Sequence, residues 1–110
     1  MMNYSISQLM DHIPQYFVPE RAKGVDAVVN FHLTGEKGGD WVVTIREQQC
    51  TVQPGEDPSP RLVFSAEAQD CLDILTGKID GMRAYMQGRL RLKGDMSLAI
   101  RLAGFFKLDQ

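Results

Sequence analysis

Between Gly88 and Asp95 the chain reads Gly-Arg-Leu-Arg-Leu-Lys-Gly-Asp, and this run constrains the fold more than any other stretch. Leu90 and Leu92 alternate with Arg89, Arg91 and Lys93. Only an extended strand sends both leucines to one face and the cations to the other. The glycines set its ends. Gly88 lets the backbone turn sharply out of a preceding helix, and Gly94-Asp95 opens the next helix with a carboxylate that the helix dipole favours. Upstream, Met82 to Gln87 presents Met82, Tyr85 and Met86 as a short helix. Downstream, Met96 to about Lys107 carries Leu98, Ala99, Leu102, Phe105 and Phe106 along one stripe, with Arg101 and Lys107 off it. The corner so formed is expected to set Met82, Tyr85 and Met86 against Leu98 and Leu102.

The first half supplies the partners for that corner. Ser5 to Phe17 has helical spacing, with Ile6, Leu9, Met10, Ile13 and Phe17 on one side and Pro14 near its end as a break or kink. Pro19 and Gly24 mark a connector. Ala27, Val29, Phe31 and Leu33 then alternate with Val28, Asn30 and His32. After the glycine-containing loop Thr34–Asp40, Trp41, Val43 and Ile45 alternate with Val42, Thr44 and Arg46, so the two strands read as a hairpin. Glu47-Gln-Gln49 turns into a short strand, Cys50 to Gln53. The loop 53–60, with prolines at 54, 58 and 60, leads to another, Arg61 to Phe64. Ser65 is a good helix cap, Glu67 suits a first turn, and Ala66 to Thr76 carries Ala68, Cys71, Leu72 and Leu75 on one face before Gly77 stops it. Helices with one apolar face beside a sheet with one apolar face define a two-layer α+β sandwich.

The chain is 110 residues long, which is one domain's worth, with residues 1–24 as an N-terminal helix and connector. No run approaches the roughly 20 apolar residues that span a bilayer. Asp11 and His12 interrupt the only apolar run near the N-terminus, so a cytoplasmic protein is expected. In that setting Cys50 and Cys71 are expected as free thiols. The net charge of −2 conceals an asymmetry: residues 1–77 carry 5 Lys+Arg against 11 Asp+Glu, whereas residues 78–110 carry 7 against 3. The basic strand residues Arg89, Arg91 and Lys93 offer a transient contact for an anionic membrane or an acidic protein, the alternative being a plain solvated surface.

The catalytic inventory is thin. His12 and His32 have no Cys, Asp or Glu at ligand spacing and read as surface histidines, so neither metal nor cofactor is expected. No nucleophile elbow, phosphate loop or dinucleotide fingerprint occurs; Gly35-x-x-Gly38-Gly39 matches none. The acidic pairs Glu56-Asp57 and Asp70/Asp73 read as solvated. The cations alternate with leucines rather than aromatics, which argues against nucleic acid. What remains is apolar surface, including the flexible methionines 82, 86 and 96. Periodicity alone leaves open whether that surface packs on itself or encloses a ligand.

The stretches Phe64-Ser65-Ala-Glu, Leu72, Leu75-Thr-Gly77-Lys78 and Ala84-Tyr-Met-Gln-Gly88-Arg-Leu-Arg-Leu-Lys-Gly94-Asp95 resemble the sterol carrier protein type two (SCP-2) domain family, with the Gly88–Asp95 run as the most specific part. The resemblance extends to Phe31-x-Leu33 and Trp41 and covers about Val25 to Phe106. Tyr85 stands where phenylalanine is commoner. The ending Phe106-Lys-Leu-Asp-Gln110 lacks a peroxisomal Ser-Lys-Leu address, so a freestanding bacterial-type member is implied.

The resemblance implies a five-stranded, mostly antiparallel sheet with helices on one face, enclosing an apolar tunnel that the last helix covers as a lid. The implied ligand is a fatty acid, acyl-CoA, sterol-like or isoprenoid lipid, held without catalysis. Facing direction assigns Phe31, Leu33, Trp41, Val43 and Phe64 to the sheet side of the pocket and Leu90 and Leu92 to its floor. Leu72, Leu75, Met82, Tyr85 and Met86 come from the middle helices, and Leu98, Leu102, Phe105 and Phe106 from the last one. The alternative is an accessory protein-interaction module in a lipid or quinone pathway, with a filled core.

Overall fold

Pro14 ends the first helix earlier than its apolar spacing suggests. In the computed structural model, which describes residues 6–36, 38–75 and 78–106, α1 spans Ile6–His12 and Ile13–Tyr16 tightens into a 3-10 turn. Proline has no N–H to donate and its ring crowds the carbonyl four residues back, so the α-helical pattern cannot run on to Phe17. A second 3-10 turn, Pro19–Ala22, completes the connector.

Five strands follow the alternating segments: β1 Ala27–Thr34, β2 Gly39–Arg46, β3 Gln49–Pro54, β4 Leu62–Glu67 and β5 Leu90–Gly94. They form one sheet in the order β3-β2-β1-β4-β5, antiparallel except for the central β1–β4 pair, which is parallel. The register stacks the apolar positions in rows across the sheet. Trp41, Phe31, Phe64 and Leu92 lie side by side on β2, β1, β4 and β5; Val52, Val43, Val29 and Leu62 form the next row. Helices cover this face, and α1 also packs on α2 (Ala68–Leu75). On the other face the β3–β4 loop folds back over Asn30. Its side-chain amide donates to the Asp57 carbonyl at 2.9 Å, and its oxygen accepts from the Asp57 amide at 3.0 Å. These paired bonds satisfy a polar side chain that is 7% exposed.

Two local expectations are corrected. β4 runs through Ser65 and Ala66 to Glu67, so Ser65 is not a helix cap and Glu67 is not in a first turn. Ser65 pairs with Arg91 on one side and His32 on the other; ladder bonds from two flanking strands outweigh a local capping signal. The helix begins at Ala68, and Thr76 and Gly77 lie outside the described residues. The last helix, α4, is also shorter, Met96–Leu102, followed by a 3-10 turn Ala103–Phe105. There the chain changes partners: Phe106 makes an antiparallel bridge with Phe17, and Val18 N–H donates to the Phe105 carbonyl at 2.8 Å. The expectation for Lys107 falls outside the described residues.

Candidate functional site

The apolar site is built on the helix–strand–helix corner. α3, Gly81–Met86, is capped at its start by Asp80, whose carboxylate accepts from the Arg83 amide at 3.0 Å. It closes with Gly88 in the left-handed region at φ +78, where the Gly88 amide donates to Tyr85 and the Arg89 amide to Ala84. This reciprocal closure needs a residue without Cβ strain and releases the chain straight into β5. Gly94, at φ +119, ends the strand where a Cβ would collide with the Arg61 carbonyl.

Asp95 then starts α4. Its carboxylate accepts from the Leu98 amide at 3.1 Å and from Arg61 Nε at 3.0 Å, while Arg61 also reaches the Asp26 carbonyl at 3.0 Å. The Leu98 amide bond, with Arg61 behind it, holds the Asp95 carboxyl below its ordinary range. Arg61 thus ties the approach to β1, the start of β4 and the cap of α4 together. Sequence reasoning passed over it. The only prior signal was a lone arginine beside a strand start.

Above the sheet rows, Leu98, Leu102, Phe105 and Phe106 are all buried, in one core with Phe31, Leu33, Val43, Phe64 and Leu90. The Phe31 and Phe64 rings stack with centroids 4.7 Å apart. Trp41, Leu72, Leu75 and Leu92 are half-buried against the same core. Met82, Tyr85 and Met86 are not brought there: α3 turns only Ala84 inward and leaves those three exposed, so they do not pack into the core with Leu98 and Leu102 as the spacing suggests. At the head of α4, Gly24, Val25, Arg61, Asp95, Ser97, Leu98 and Arg101 line a cleft of about 90 Å³.

Burial pushes the Cys50 thiol up to about 11 and the Cys71 thiol to about 12, so both stay protonated at neutral pH. Both are free cysteines, as the sequence suggests. His12 and His32 are exposed; the first donates to the Gln8 carbonyl and the second to Asp40, 2.6 Å away on the neighbouring strand. Among the described residues no cluster of His, Cys, Asp and Glu could hold a metal ion, and no helix is long and apolar enough to cross a membrane.

A sheet in this order, with its apolar rows under short helices and a glycine-bracketed edge strand, defines a two-layer domain of the sterol-carrier type. The chain belongs to the SCP-2 sterol transfer family, whose model matches residues 6–107. It is 33% identical over 98 residues to hydroxysteroid dehydrogenase-like protein 2 of Danio rerio, covering 88% of this chain and 24% of that one. It therefore spans about a quarter of that relative's length. Among solved structures, a sec-alkylsulfatase from Pseudomonas sp. superposes with a TM-score of 0.82 at 22% identity, over 91% of this chain and 16% of that one. A palmitated sterol carrier protein 2 like 2 from Aedes aegypti superposes with a TM-score of 0.71 at 24% identity, over 94% and 93% of the two chains.

Proposed function

We propose that the chain is a non-catalytic lipid-binding domain that holds a fatty acyl, sterol-like or isoprenoid chain between the sheet and the α4 segment. One observation carries this reading: the in-register row Trp41, Phe31, Phe64 and Leu92 shares one core with Leu98, Leu102, Phe105 and Phe106. These apolar side chains can part around an alkyl chain without breaking the backbone ladders of the sheet. Each methylene so buried contributes about 0.8 kcal/mol, so affinity needs few polar partners. The palmitated Aedes aegypti relative in this fold supports the choice of ligand class. The cations Arg61 and Arg101 beside the cleft suit a polar headgroup.

The test is native mass spectrometry of protein purified without detergent, followed by displacement of a fluorescent fatty acid. Lipid should co-purify, and Leu102→Glu should abolish displacement whereas the volume-conserving Leu102→Met keeps it. Retention by a folded Leu102→Glu protein rejects the pocket.

A filled-core module that docks on another protein is the second reading. The 4.7 Å stacking of Phe31 on Phe64 favours it. Lipid-free protein that displaces no probe would select this reading.

A further inference from the structure

Among the described residues the large apolar side chains left exposed are Met82, Tyr85, Met86, Met96 and Ile100. All of them belong to α3 or α4, and both helices pack against β5, the strand at the edge of the sheet. A single surface methionine means little. Their confinement to the two helices that pack on one edge strand, with Met86 79% and Ile100 70% exposed, sets that edge apart from the rest of the described surface.

The same edge is cationic. Residues 78–106 contain Lys78, Arg83, Arg89, Arg91, Lys93 and Arg101 against only Asp80 and Asp95. Both acids are engaged within the fold, Asp80 capping α3 and Asp95 capping α4 and pairing with Arg61. Arg89 is engaged too, 2.7 Å from Asp70 on α2. Arg91 and Lys93 stay exposed along β5, opposite Ser65 and Val63, and neither forms an ion pair among the described residues. Arg101 lies over the Phe105 ring at 5.4 Å and keeps its charge at the surface of α4.

We propose that the β5 edge, met edge-on so that Arg91 and Lys93 of its open face and the α3 and α4 helices of its covered face share the contact, docks on an anionic lipid bilayer. Arg83, Arg91, Lys93 and Arg101 meet the headgroups, and Met86, Met96 and Ile100 enter the interface. Tyr85 suits the headgroup level, with an apolar ring and a polar tip. The character of the apolar residues selects a bilayer over an acidic protein. They are separate, flexible side chains on two short helices rather than a shaped aromatic pocket, and a fluid interface accepts such chains without matching their shape. The inference rests on the proposed lipid-binding role for its purpose, since a carrier must take up and release its ligand at a membrane.

The test is co-sedimentation of the full chain with vesicles of phosphatidylcholine alone and of phosphatidylcholine mixed with phosphatidylglycerol. Binding is expected only to the anionic vesicles and should weaken with salt. Arg91→Gln with Lys93→Gln should lower partitioning roughly thirtyfold, about 1 kcal/mol for each cation removed. Met96→Ser with Ile100→Ser should lower it on the order of tenfold. Circular dichroism and fatty-acid displacement should stay unchanged in both variants. Equal binding to neutral and anionic vesicles overturns the assignment, as does full binding by a folded Met96→Ser/Ile100→Ser protein. Capture by immobilised polyglutamate without vesicle binding also overturns it, in favour of an acidic protein. If wild-type protein sediments with vesicles but displaces no fatty acid, the lipid pocket fails and the docking surface stands.

Discussion

Arg61 donates from Nε to the Asp95 carboxylate at 3.0 Å while the Asp95 amide donates to the Arg61 carbonyl at 2.9 Å, a reciprocal clasp between the start of β4 and the cap of α4. Asp95 holds its proton less tightly in the folded chain than its ordinary value of 3.8, chiefly because the Leu98 amide donates to it. A carboxyl depressed by folding stabilises the native state above its unfolded pKa, and that contribution disappears as pH falls through the folded value. Asp95→Asn keeps a capping oxygen but loses the charge. Urea midpoints followed downward from neutral pH should therefore fall more steeply for wild type than for Asp95→Asn below about pH 4. Parallel curves would show that the clasp carries no charge-linked stability.

Gly94 tests the same corner by shape. Its φ of +119 is strained for any side chain, and an added Cβ would run into the Arg61 carbonyl. Gly94→Ala should destabilise the protein by on the order of 2 kcal/mol, read as a lower thermal midpoint. Gly24 also has a positive φ, +76, but nothing stands near its would-be Cβ. Gly24→Ala should cost less, since only backbone strain is introduced.

The β2–β3 turn offers a gain. Glu47 and Gln48 both occupy the left-handed region, at φ 52 and 60, in a two-residue hairpin loop where asparagine and glycine are the favoured pair. Replacing them together, Glu47→Asn with Gln48→Gly, should raise stability by about 1 kcal/mol, measured by urea denaturation. An unchanged or lower midpoint would mean that the Gln48 side-chain bond to the Pro19 carbonyl, 3.2 Å, matters more than the backbone strain.

The elements were legible where the signal is local. Alternation in Ala27–Leu33, Trp41–Ile45 and Arg89–Lys93 identifies strands because one face must be buried, and Gly88 and Gly94 identify the corner because only glycine suits those backbone angles. The order of the strands was not legible from pattern, because pairing between β1 and β4 joins segments about thirty residues apart whose alternation is equally compatible with other neighbours. Ser65 misled for a related reason: it has capping chemistry, yet it sits in a strand with partners on both sides. Of the proposed site, the α4 stripe and the inner sheet positions were legible. α3 was not, because its six residues bury only Ala84, and a helix that short does not reveal which side it turns inward.

The cysteines give an alkaline prediction. A thiol raised from 9.0 to about 11 at Cys50 and about 12 at Cys71 is kept neutral by burial in the folded chain. Such a group stabilises the fold fully below its unfolded pKa and loses that contribution as pH rises through the folded value. Stability should therefore decline above about pH 9, and Cys71→Ala should flatten that decline. At pH 8 a thiol reagent should modify Cys71 only on unfolding and half-buried Cys50 slowly; rapid modification of both would show that the core opens readily.

The Phe17–Phe106 contact should govern how fast the proposed pocket exchanges its ligand. Their rings lie 5.8 Å apart, their backbones form an antiparallel bridge, and Arg21 Nη1 donates to the Gly104 carbonyl at 3.0 Å. These bonds strap the segment before β1 across the end of α4, the part that would have to shift if a chain entered the proposed pocket over Leu102. Phe17→Ala removes one ring from the strap and leaves the sheet rows untouched. Hydrogen exchange at the Val18 amide should accelerate, and a bound fluorescent fatty acid should leave several-fold faster at little change in sheet stability. Faster amide exchange with an unchanged ligand off-rate would place the entrance elsewhere, with the Arg61 cleft at the opposite end of α4 as the next position to alter.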